Sequence, residues 1–403
     1  MTWEIRQGDV LERLREMPAD SVHCVVTSPP YFGQRDYGIE RQIGLERTLT
    51  EYVAKMVAVF EEVRRVLRPD GTCWVNLGDG YGPMEKLRRA GQSTSRMPSA
   101  GLKPKDLMMT PARVAMALQE AGWWLRSEIT WCKPAPMPES VSDRPTSATE
   151  KIYLLTKQAK YFYDIDAERV GFADQESPFK GSTFTDGKTG VNGQGRVSML
   201  PRKQDGHGRR HEGFNDRWDE AEAKGQLPAG RNLWNYWLIG TEPFAEAHFA
   251  TFPSELPRRC ISLGTSAKGV CAACGAPARR LVERGETTGR TTLNGLGNGE
   301  LANGLRFGDG HVATLGWQLS CGHWAEPVPA LVLDPFSGSG TTGLAALRLD
   351  RSYIGIELNP DYVAMSKRRI LQDKETFQPA PECQQEAPEV EYQPALWTPP
   401  ATR

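Results

Sequence analysis

The stretch LVLDPFSGSG, residues 331–340, joins a short apolar run to a glycine-rich turn that begins immediately after an aspartate. A second stretch, VHCVVTSPPY over residues 22–31, has the same arrangement, with an apolar run followed by a rigid turn. Both apolar runs predict buried strands of a parallel sheet. Open α/β sheets bind ligands at the carboxyl ends of their strands, so we expect the two turns to form one site.

Strand-like and helix-like segments alternate through the first part of the chain. Apolar residues recur with a helical period over 50–67, and the RPDG sequence at 68–71 predicts that this helix ends in a turn. Residues 111–122 predict a second helix, whereas 123–131 and 152–156 predict strands. Strands that alternate with helices indicate an α/β fold with a mostly parallel, Rossmann-like sheet.

The 403-residue chain has 39% hydrophobic and 25% charged residues, a composition typical of a soluble protein with a substantial core. Its formal net charge of -1 gives no overall attraction to nucleic acid, so DNA binding would need local basic patches. The chain shows neither an apolar run of the roughly 20 residues that span a membrane nor a signal pattern. We therefore expect a cytoplasmic protein without a membrane partner. The scattered cysteines indicate no disulfide framework.

The glycine-rich turn contains a G-x-G-x-x-G string at 338–343, which also occurs in sites for nicotinamide or flavin dinucleotides. Those sites place a pyrophosphate at a helix N-terminus, and Asp334 at the strand tip would repel it. The same carboxylate suits the ammonium or sulfonium group of S-adenosylmethionine, which carries no phosphate. Glu357, at the end of the next predicted strand, can accept hydrogen bonds from both ribose hydroxyls. A plain turn beside a surface acid is the third interpretation.

The SPPY turn has the groups that activation of a base amine requires. The exocyclic amine of cytosine or adenine is a poor nucleophile because its lone pair is delocalised into the ring, and acceptors that draw its N–H groups out of plane counter this. Ser28 offers a hydroxyl oxygen, and Pro29 offers a carbonyl whose geometry Pro30 restricts. Tyr31 can stack on a flipped base. The alternative is a rigid turn with Tyr31 packed at the rim. Carbon methylation is not predicted, because the chain has no Pro-Cys pair.

Together the two motifs resemble those of the DNA amino-methyltransferases that modify adenine N6 or cytosine N4. SPPY at 28–31 matches the catalytic motif (S/D/N)-P-P-(Y/F), and DPFSGSGT at 334–341 matches the cofactor motif D-P-F-x-G-S-G-T. A catalytic motif that precedes the cofactor motif resembles the permuted β class of phage and bacterial enzymes. The resemblance implies methyl transfer from S-adenosylmethionine to double-stranded DNA. The catalytic residues that it implies are Ser28, Pro29, Pro30 and Tyr31.

Other landmarks of that family follow in the expected order. Asp9 resembles the acid near the adenine end of the cofactor, and HFATFP at 248–253 resembles the motif over its methionine end. The segments 131–134 and 144–146 resemble the loop beside the target base. The cofactor-binding residues implied by the resemblance are Asp9, His248, Phe252, Asp334, Pro335, Phe336, Gly338, Gly340, Thr341 and Glu357.

The resemblance also divides the chain into segments. From about 171 to 230 the sequence is rich in Gly, Lys, Arg, Asp and Ser and has little periodicity. The family places target recognition in such an intervening segment. The predicted segments are a catalytic half over 1–170, a flexible target-recognition insert over 171–235, a cofactor-binding half over 236–268 and 328–373, a cysteine-rich insert over 269–325 and a disordered tail over 374–403.

The first residue of the catalytic motif bears on the target base. In the family, serine there favours cytosine N4 and aspartate favours adenine N6, so Ser28 predicts N4-methylcytosine, with N6-methyladenine as the alternative. Two more distant alternatives are a nicotinamide-dependent oxidoreductase and an inactive, zinc-containing DNA-binding protein. The recognition sequence, homodimer formation and a restriction endonuclease partner are left open by the sequence.

Four soft metal ligands occur in the cysteine-rich insert. Cys271 and Cys274 form a CxxC pair, and Cys321 and His323 follow a long stretch rich in Asn and Gly. Three thiolates and one imidazole complete a tetrahedral zinc site, so we predict a structural zinc ion that pins this insert. The alternatives are reduced thiols in a loop, or a zinc site in which His311 replaces His323.

Overall fold

The computed structural model describes residues 1–83, 101–169, 232–242, 252–284 and 312–376. This part of the chain forms an eight-stranded sheet, with helices on both faces, and two small two-stranded sheets. In chain order the elements are β1 (Trp3–Gln7), α1 (Val10–Arg15), β2 (Val22–Thr27), α2 (Leu49–Val66), β3 (Leu67–Leu77), α3 (Thr110–Glu120), β4 (Trp124–Cys132), β5 (Thr149–Thr156), a 3-10 turn (Ile165–Glu168), β6 (Tyr236–Leu238), α4 (Glu255–Gly264), β7 (Val270–Cys271), β8 (Ala278–Arg284), β9 (Val312–Leu319), β10 (Pro327–Val328), β11 (Leu331–Asp334), α5 (Thr341–Arg348), β12 (Ser352–Glu357) and α6 (Pro360–Thr376).

The strand order in the large sheet is β1-β12-β11-β2-β3-β5-β4-β6. The strands from β1 to β3 in this order are parallel, β5 is antiparallel to both of its neighbours, and β6 is parallel to β4. In the centre, Val332 of β11 pairs with Cys24 of β2, and Leu333 pairs with Val25. The turns that follow β11 and β2 therefore emerge side by side at one edge. This mostly parallel α/β sheet confirms the predicted fold class.

The central strand β11 contributes to two hydrophobic cores, one on each face of the sheet. Leu333 packs with residues of α1, α2 and α3 on one face, whereas Val332 packs with residues of α4, α5 and α6 on the other. Both side chains are fully buried, as expected for a parallel strand that is covered on both sides. Packing from both faces fixes the position of the end of β11, where Asp334 lies.

Helix α2 begins with a reciprocal cap and ends without a turn. Thr48 Oγ1 accepts the N–H of Glu51, and the Glu51 carboxylate accepts the N–H of Thr48, which forms a capping box. The helix ends at Val66 and β3 begins at the next residue. The turn predicted at 68–71 is therefore wrong. These residues are an extended start of β3 in which the register against β2 shifts, and such an irregularity tolerates the proline that a regular strand would exclude.

Several predicted features lie outside the described residues. They include nearly all of the target-recognition insert, over 171–231, as well as His248, the 285–311 part of the cysteine-rich insert and the tail from 377. The segment boundaries therefore stay predictions. Among the helices that the structure describes, none is long and apolar enough to cross a lipid bilayer.

Candidate active site at the carboxyl edge of the sheet

Asp334 joins the two motif turns at the end of β11. Its side chain is buried, with 1% of the residue exposed. One carboxylate oxygen accepts the Thr27 hydroxyl at 2.7 Å and the Phe336 N–H at 3.0 Å, and the other accepts the Thr342 hydroxyl at 2.7 Å. Because Thr27 directly precedes Ser28, a hydrogen bond couples the SPPY turn to the glycine-rich turn.

These three partners of Asp334 are uncharged. Burial raises the pKa of the Asp334 carboxyl group to about 6, although the hydroxyl and N–H hydrogen bonds oppose the shift. Burial also raises the pKa of Glu357 on the adjacent strand, and the charge of Asp334 adds to that shift. One buried and one half-buried carboxylate held by uncharged donors are an environment that favours a cationic ligand.

The glycine-rich turn is shaped by its glycines and by α6. Gly338 and Gly340 have φ angles of +50° and +80°, in the left-handed region that favours glycine. A Cβ atom at Gly340 would also lie 2.8 Å from the Cβ of Ser366 on α6, whereas at Gly338 the nearest atom would be 4.0 Å away. Arg369, further along α6, donates to the carbonyl and hydroxyl oxygens of Ser339 at 2.7 and 2.9 Å. Sequence reasoning missed Arg369, because no motif marks it.

Glu357 ends β12, and Asp9 follows the neighbouring strand β1 at the same edge. The two carboxylate oxygens of Glu357 accept the N–H groups of Gly338 and Asn359, each at 2.8 Å. Asp9 is the N-cap of α1, and the preceding Gly8 donates its N–H to the Glu357 carbonyl at 2.9 Å. Glu357 therefore contacts the glycine-rich turn, and Asp9 lies on the far side of Glu357 at the same edge.

Two tyrosine rings meet next to Glu357. Tyr37, from the loop after the SPPY turn, and Tyr362, at the start of α6, contact edge to face with centroids 6.3 Å apart. Burial raises the pKa of Tyr37, and the charge of Glu357 adds to this shift. Burial likewise raises the pKa of Tyr362 to about 12. The loop after SPPY thus reaches across to the end of β12, and Tyr37 is another residue that sequence reasoning missed.

Ser28 and Tyr31 belong to a hydrogen-bond network with residues from β3 and β5. The Ser28 hydroxyl oxygen is 3.4 Å from Asn76 Oδ1 and 3.2 Å from the Tyr31 hydroxyl oxygen. The Tyr31 hydroxyl donates to Glu150 Oε2 at 2.7 Å, and Glu150 Oε1 pairs with the ammonium of Lys133. No sequence motif marks Asn76 or Glu150 as a functional residue. Asn76 reaches Ser28 because β3 pairs with β2, and Glu150 reaches Tyr31 because β5 pairs with β3.

The SPPY turn is held by contacts to its backbone and ring. The Tyr52 hydroxyl donates to the Pro30 carbonyl at 2.9 Å, and Pro29 is buried. A Cβ atom on Gly78 would lie 2.6 Å from the Tyr31 ring, so the ring packs directly against that glycine. Burial and a nearby carboxylate raise the pKa of Tyr31 well above its usual value, so the phenol keeps its proton as a donor.

A family model described as DNA methylase matches residues 22–272 and 326–368, which include both motif turns and most of the chain. The chain belongs to this DNA methylase family. The methylase is 37% identical over 372 residues to the Type II methyltransferase M.Cfr9I of Citrobacter freundii, with 90% of this chain and 86% of the relative covered. It is 32% identical to M.SmaI of Serratia marcescens, with 90% and 89% covered.

A solved structure described as PvuII DNA methyltransferase (cytosine-N4-specific) shares the fold of the methylase. The TM-score is 0.50 at 18% identity, and the match covers 92% of this chain and 86% of that chain. The family match confirms the predicted enzyme class, an S-adenosylmethionine-dependent methyltransferase that acts on DNA. The oxidoreductase interpretation of the glycine string is therefore wrong.

Most of the predicted cofactor-binding residues of the methylase lie together at the carboxyl edge. They are Asp9, Asp334, Pro335, Phe336, Gly338, Gly340, Thr341 and Glu357. Phe252 precedes α4 and packs, half-buried, against the core on the α4 face. His248 lies outside the described residues.

The structure also brings the four predicted metal ligands of the methylase into one group. The ligand atoms of Cys271, Cys274, Cys321 and His323 all lie within 4.8 Å of one another. Strand β7 ends at the first of these residues, and β9 ends shortly before the last pair. The alternative ligand, His311, lies outside the described residues.

Proposed function

We propose that this methylase transfers a methyl group from S-adenosylmethionine to the N4 amine of cytosine in double-stranded DNA. The observation that carries the proposal is the hydrogen bond of 2.7 Å from Thr27 to Asp334, because it sets the SPPY turn against the turn that would hold the methyl donor. A serine at position 28, rather than an aspartate, supports cytosine as the target base.

The residues at this edge fit S-adenosylmethionine. When bound, the cofactor supplies an electrophilic methyl carbon on a positively charged sulfur. Asp334 and Glu357 are carboxylates with uncharged partners, so a cationic ligand beside them would favour their charged forms. Their oxygens keep acceptor capacity beyond these hydrogen bonds, which Glu357 would use for the ribose hydroxyls. We assign cofactor binding to Asp9, His248, Phe252, Asp334, Pro335, Phe336, Gly338, Gly340, Thr341 and Glu357.

Ser28 and Pro29 would bind the target amine. The single proton of the Ser28 hydroxyl has Asn76 Oδ1 and the Tyr31 oxygen as acceptors, which leaves the Ser28 lone pairs able to accept. Asn76 is fixed in this orientation because its Nδ2 donates to the Lys151 carbonyl at 3.2 Å. Amine N–H groups drawn toward Ser28 and the Pro29 carbonyl leave the nitrogen lone pair directed at the methyl carbon.

Methyl transfer is then a direct displacement. With Ser28 and the Pro29 carbonyl holding the amine, its nitrogen would bond to the methyl carbon that the cofactor supplies, and the electron pair of the broken carbon–sulfur bond would stay on sulfur as a neutral thioether. The methylated nitrogen releases one proton to water, since a protonated amine conjugated to an aromatic ring is strongly acidic. The contribution of the protein is to hold the nitrogen and the methyl carbon in line.

We assign base stacking to Tyr31. Its hydroxyl is anchored to Glu150 at 2.7 Å, and its ring rests on Gly78, so the orientation of the ring is set before a flipped base arrives. A side chain that is already ordered loses little conformational entropy when the base binds. Pro30 completes the turn by restricting the carbonyl that precedes it.

Target recognition would belong to the segment 171–235, whose polar composition differs from that of both halves of the enzyme. Exchanging this segment for its counterpart in a Type II relative should change the methylated DNA sequence. The affinity for S-adenosylhomocysteine should stay the same, because the proposed cofactor residues are all elsewhere. An exchange that leaves the methylated sequence unchanged would contradict this assignment.

The target base is tested by modified-base sequencing and nucleoside mass spectrometry of DNA from a methylation-free host that expresses the chain. We expect N4-methylcytosine with the native chain and a much lower fraction of modified sites with Ser28→Ala. N6-methyladenine alone would refute the target base and leave the enzyme class intact. Unmodified DNA from a chain that still binds S-adenosylhomocysteine would refute the activity and indicate an inactive DNA-binding protein.

A further inference from the structure

The described parts of the cysteine-rich segment, 270–284 and 312–328, which we call the cysteine module, lie at the edge of the sheet opposite the candidate active site. In this module β7 pairs with β10, and β8 pairs with β9. The module contacts the catalytic domain through Arg68, at the start of β3, which donates to the Cys274 carbonyl at 2.9 Å. It also contacts the domain through Arg280, which pairs with Asp164 at 3.0 Å. Arg68 lies at the start of β3, whereas the SPPY turn lies at the carboxyl ends of the strands, so the length of β3 separates the two.

The ligand atoms of the module have the spacing of a tetrahedral metal site. The sulfurs of Cys271, Cys274 and Cys321 and a ring nitrogen of His323 all lie within 4.8 Å of one another. Cys271 Sγ is 3.8 Å from His323 Nδ1. Zinc bonds of about 2.3 Å to sulfur and about 2.1 Å to nitrogen place two tetrahedral ligand atoms about 3.6 Å apart, so the distance fits one shared ion.

The backbone around Cys271 is arranged to support a thiolate ligand. The Gly275 N–H donates to the Cys271 carbonyl at 2.7 Å, and the Cys271 N–H donates to the Ala276 carbonyl at 2.8 Å. This tight turn needs the φ of +71° that Gly275 adopts. Such supporting hydrogen bonds orient the ligands of metal sites.

Other described cysteines have a different environment. Cys24, Cys73 and Cys260 are completely buried within the hydrophobic cores. Burial there raises the pKa of each thiol, that of Cys24 to about 12, so these side chains stay protonated core residues. Only the cysteines of the module converge on a histidine among the residues that the structure describes.

We propose that Cys271, Cys274, Cys321 and His323 bind one zinc ion and that this ion is structural. Four protein ligands fill a tetrahedral site and leave no position for water or substrate. The ion would hold the first segment of the module, with Cys271 and Cys274, against its last segment, with Cys321 and His323. The exit strand β10 is followed almost directly by β11, which ends at Asp334. The ion would therefore close the module just before the chain re-enters the sheet, and it would not contact the reacting groups.

Metal analysis of the full-length chain tests the ligand set. We expect about one zinc ion per chain, with the metal lost in Cys271→Ser and in His323→Ala. Two matched controls, His311→Ala and Cys132→Ser, should keep the zinc. A native chain with no zinc, or with a different metal in its place, would overturn the proposal. Loss of zinc in His311→Ala, or its full retention in Cys271→Ser, would overturn the assigned ligands.

Cobalt substitution tests the same site without any variant that could fail to fold. Native chain reconstituted with Co²⁺ should show thiolate-to-cobalt charge transfer and the visible bands of a tetrahedral site, and an octahedral spectrum would refute the geometry. Chelation should lower the Tm of the chain. At temperatures where the metal-free chain stays folded, its affinity for S-adenosylhomocysteine should be unchanged, and a loss of that affinity would refute a purely structural role.

Discussion

At the scale of single residues, the candidate site depends on where individual protons lie. Ser28 accepts from an amine only while its own proton is donated elsewhere, and Asn76 supplies an acceptor at 3.4 Å. Tyr31 donates to Glu150, whose side chain is 15% exposed and pairs with Lys133, which is 22% exposed. Such charge-assisted hydrogen bonds, largely shielded from solvent, are the stronger kind. The orientation of the catalytic turn therefore depends on side chains outside the motif.

The Ser28→Ala variant should bind the cofactor as the native chain does and transfer the methyl group more slowly. A hydrogen bond at a reacting group contributes about 1.5–3 kcal/mol, so we expect the single-turnover rate to fall about 10- to 100-fold. The control is Ser21→Ala just before the opposite end of β2, where the hydroxyl donates to the Pro18 carbonyl at 2.8 Å. Calorimetry should give equal affinities of both variants for S-adenosylhomocysteine. A comparable rate loss in Ser21→Ala would contradict a specific role of Ser28.

Tyr31 and Glu150 should be energetically coupled. Tyr31→Phe and Glu150→Ala remove the same hydrogen bond of 2.7 Å, so the double variant loses that bond only once. The double variant should therefore lose less stability than the sum of the two single variants, by about 0.5–3 kcal/mol. The measurement is a double-mutant cycle on the free energy of unfolding in denaturant. Additive losses would show that this hydrogen bond contributes nothing in solution.

At the scale of elements, helix α6 supports the glycine-rich turn from outside. Ser366 packs where a side chain on Gly340 would have to go, and Arg369 donates to Ser339 at 2.7 Å. The turn that would bind the cofactor is thus shaped by a helix that follows the next strand. This explains why two glycines with similar φ angles have different surroundings.

Alanine substitutions at Gly338 and Gly340 should separate backbone strain from steric conflict. Both have positive φ, which costs an alanine about 1–2 kcal/mol. Only Gly340→Ala also creates a contact of 2.8 Å, with Ser366, and overpacking costs about 1–3 kcal/mol more. We expect a larger loss of unfolding free energy, measured in denaturant, for Gly340→Ala. Equal losses in the two variants would mean that α6 moves aside freely.

At the scale of the whole molecule, the edges at the two ends of the parallel strands have different roles. One edge holds the SPPY and glycine-rich turns, and the other receives the cysteine module. At the second edge His23 Nδ1 accepts the N–H of Leu331 at 3.1 Å, which joins the start of β2 to that of β11. Burial lowers the pKa of His23 to about 4, so its ring is neutral near pH 7 and can accept this hydrogen bond.

The stability of the fold should therefore depend on the protonation of His23. Its folded pKa of about 4 lies below the ordinary value of 6.5, so between these values the unfolded chain binds the proton more strongly. The stabilisation by neutral His23 is complete above pH 6.5 and is lost as the pH falls toward 4. The raised pKa of Asp334, about 6, acts in the opposite direction over much of this range. The effect of His23 must be isolated by a variant.

His23→Gln keeps an acceptor for the Leu331 N–H and removes the titration. Between pH 7 and 4.5 the native chain should lose about 2 kcal/mol more unfolding free energy than the variant. Denaturant titrations at several pH values give this difference, in which the contribution of Asp334 cancels. Parallel pH curves for the two chains would contradict a neutral, buried His23.

Local sequence was enough to predict the elements that end in the two turns, because short apolar runs and turn residues act over a few positions. It failed at 68–71, where pairing with β2 keeps a Pro-Asp-Gly stretch extended. It also missed Asn76, Glu150 and Arg369. These side chains contact the motif residues only because of the strand order and the helix packing. No local sequence pattern around them predicts the contact.

The sequence by itself determined which groups can perform the chemistry: a serine, two prolines and a tyrosine after one strand, a carboxylate and glycines after another, and four soft metal ligands. Residue type and local spacing are sufficient for that. Only the tertiary structure decided that Thr27 bonds to Asp334, that Asn76 and Glu150 hold Ser28 and Tyr31, and that the metal ligands gather at the opposite edge. Those outcomes depend on which strands pair and in what register, and that is set by the packing of both faces of the sheet at once.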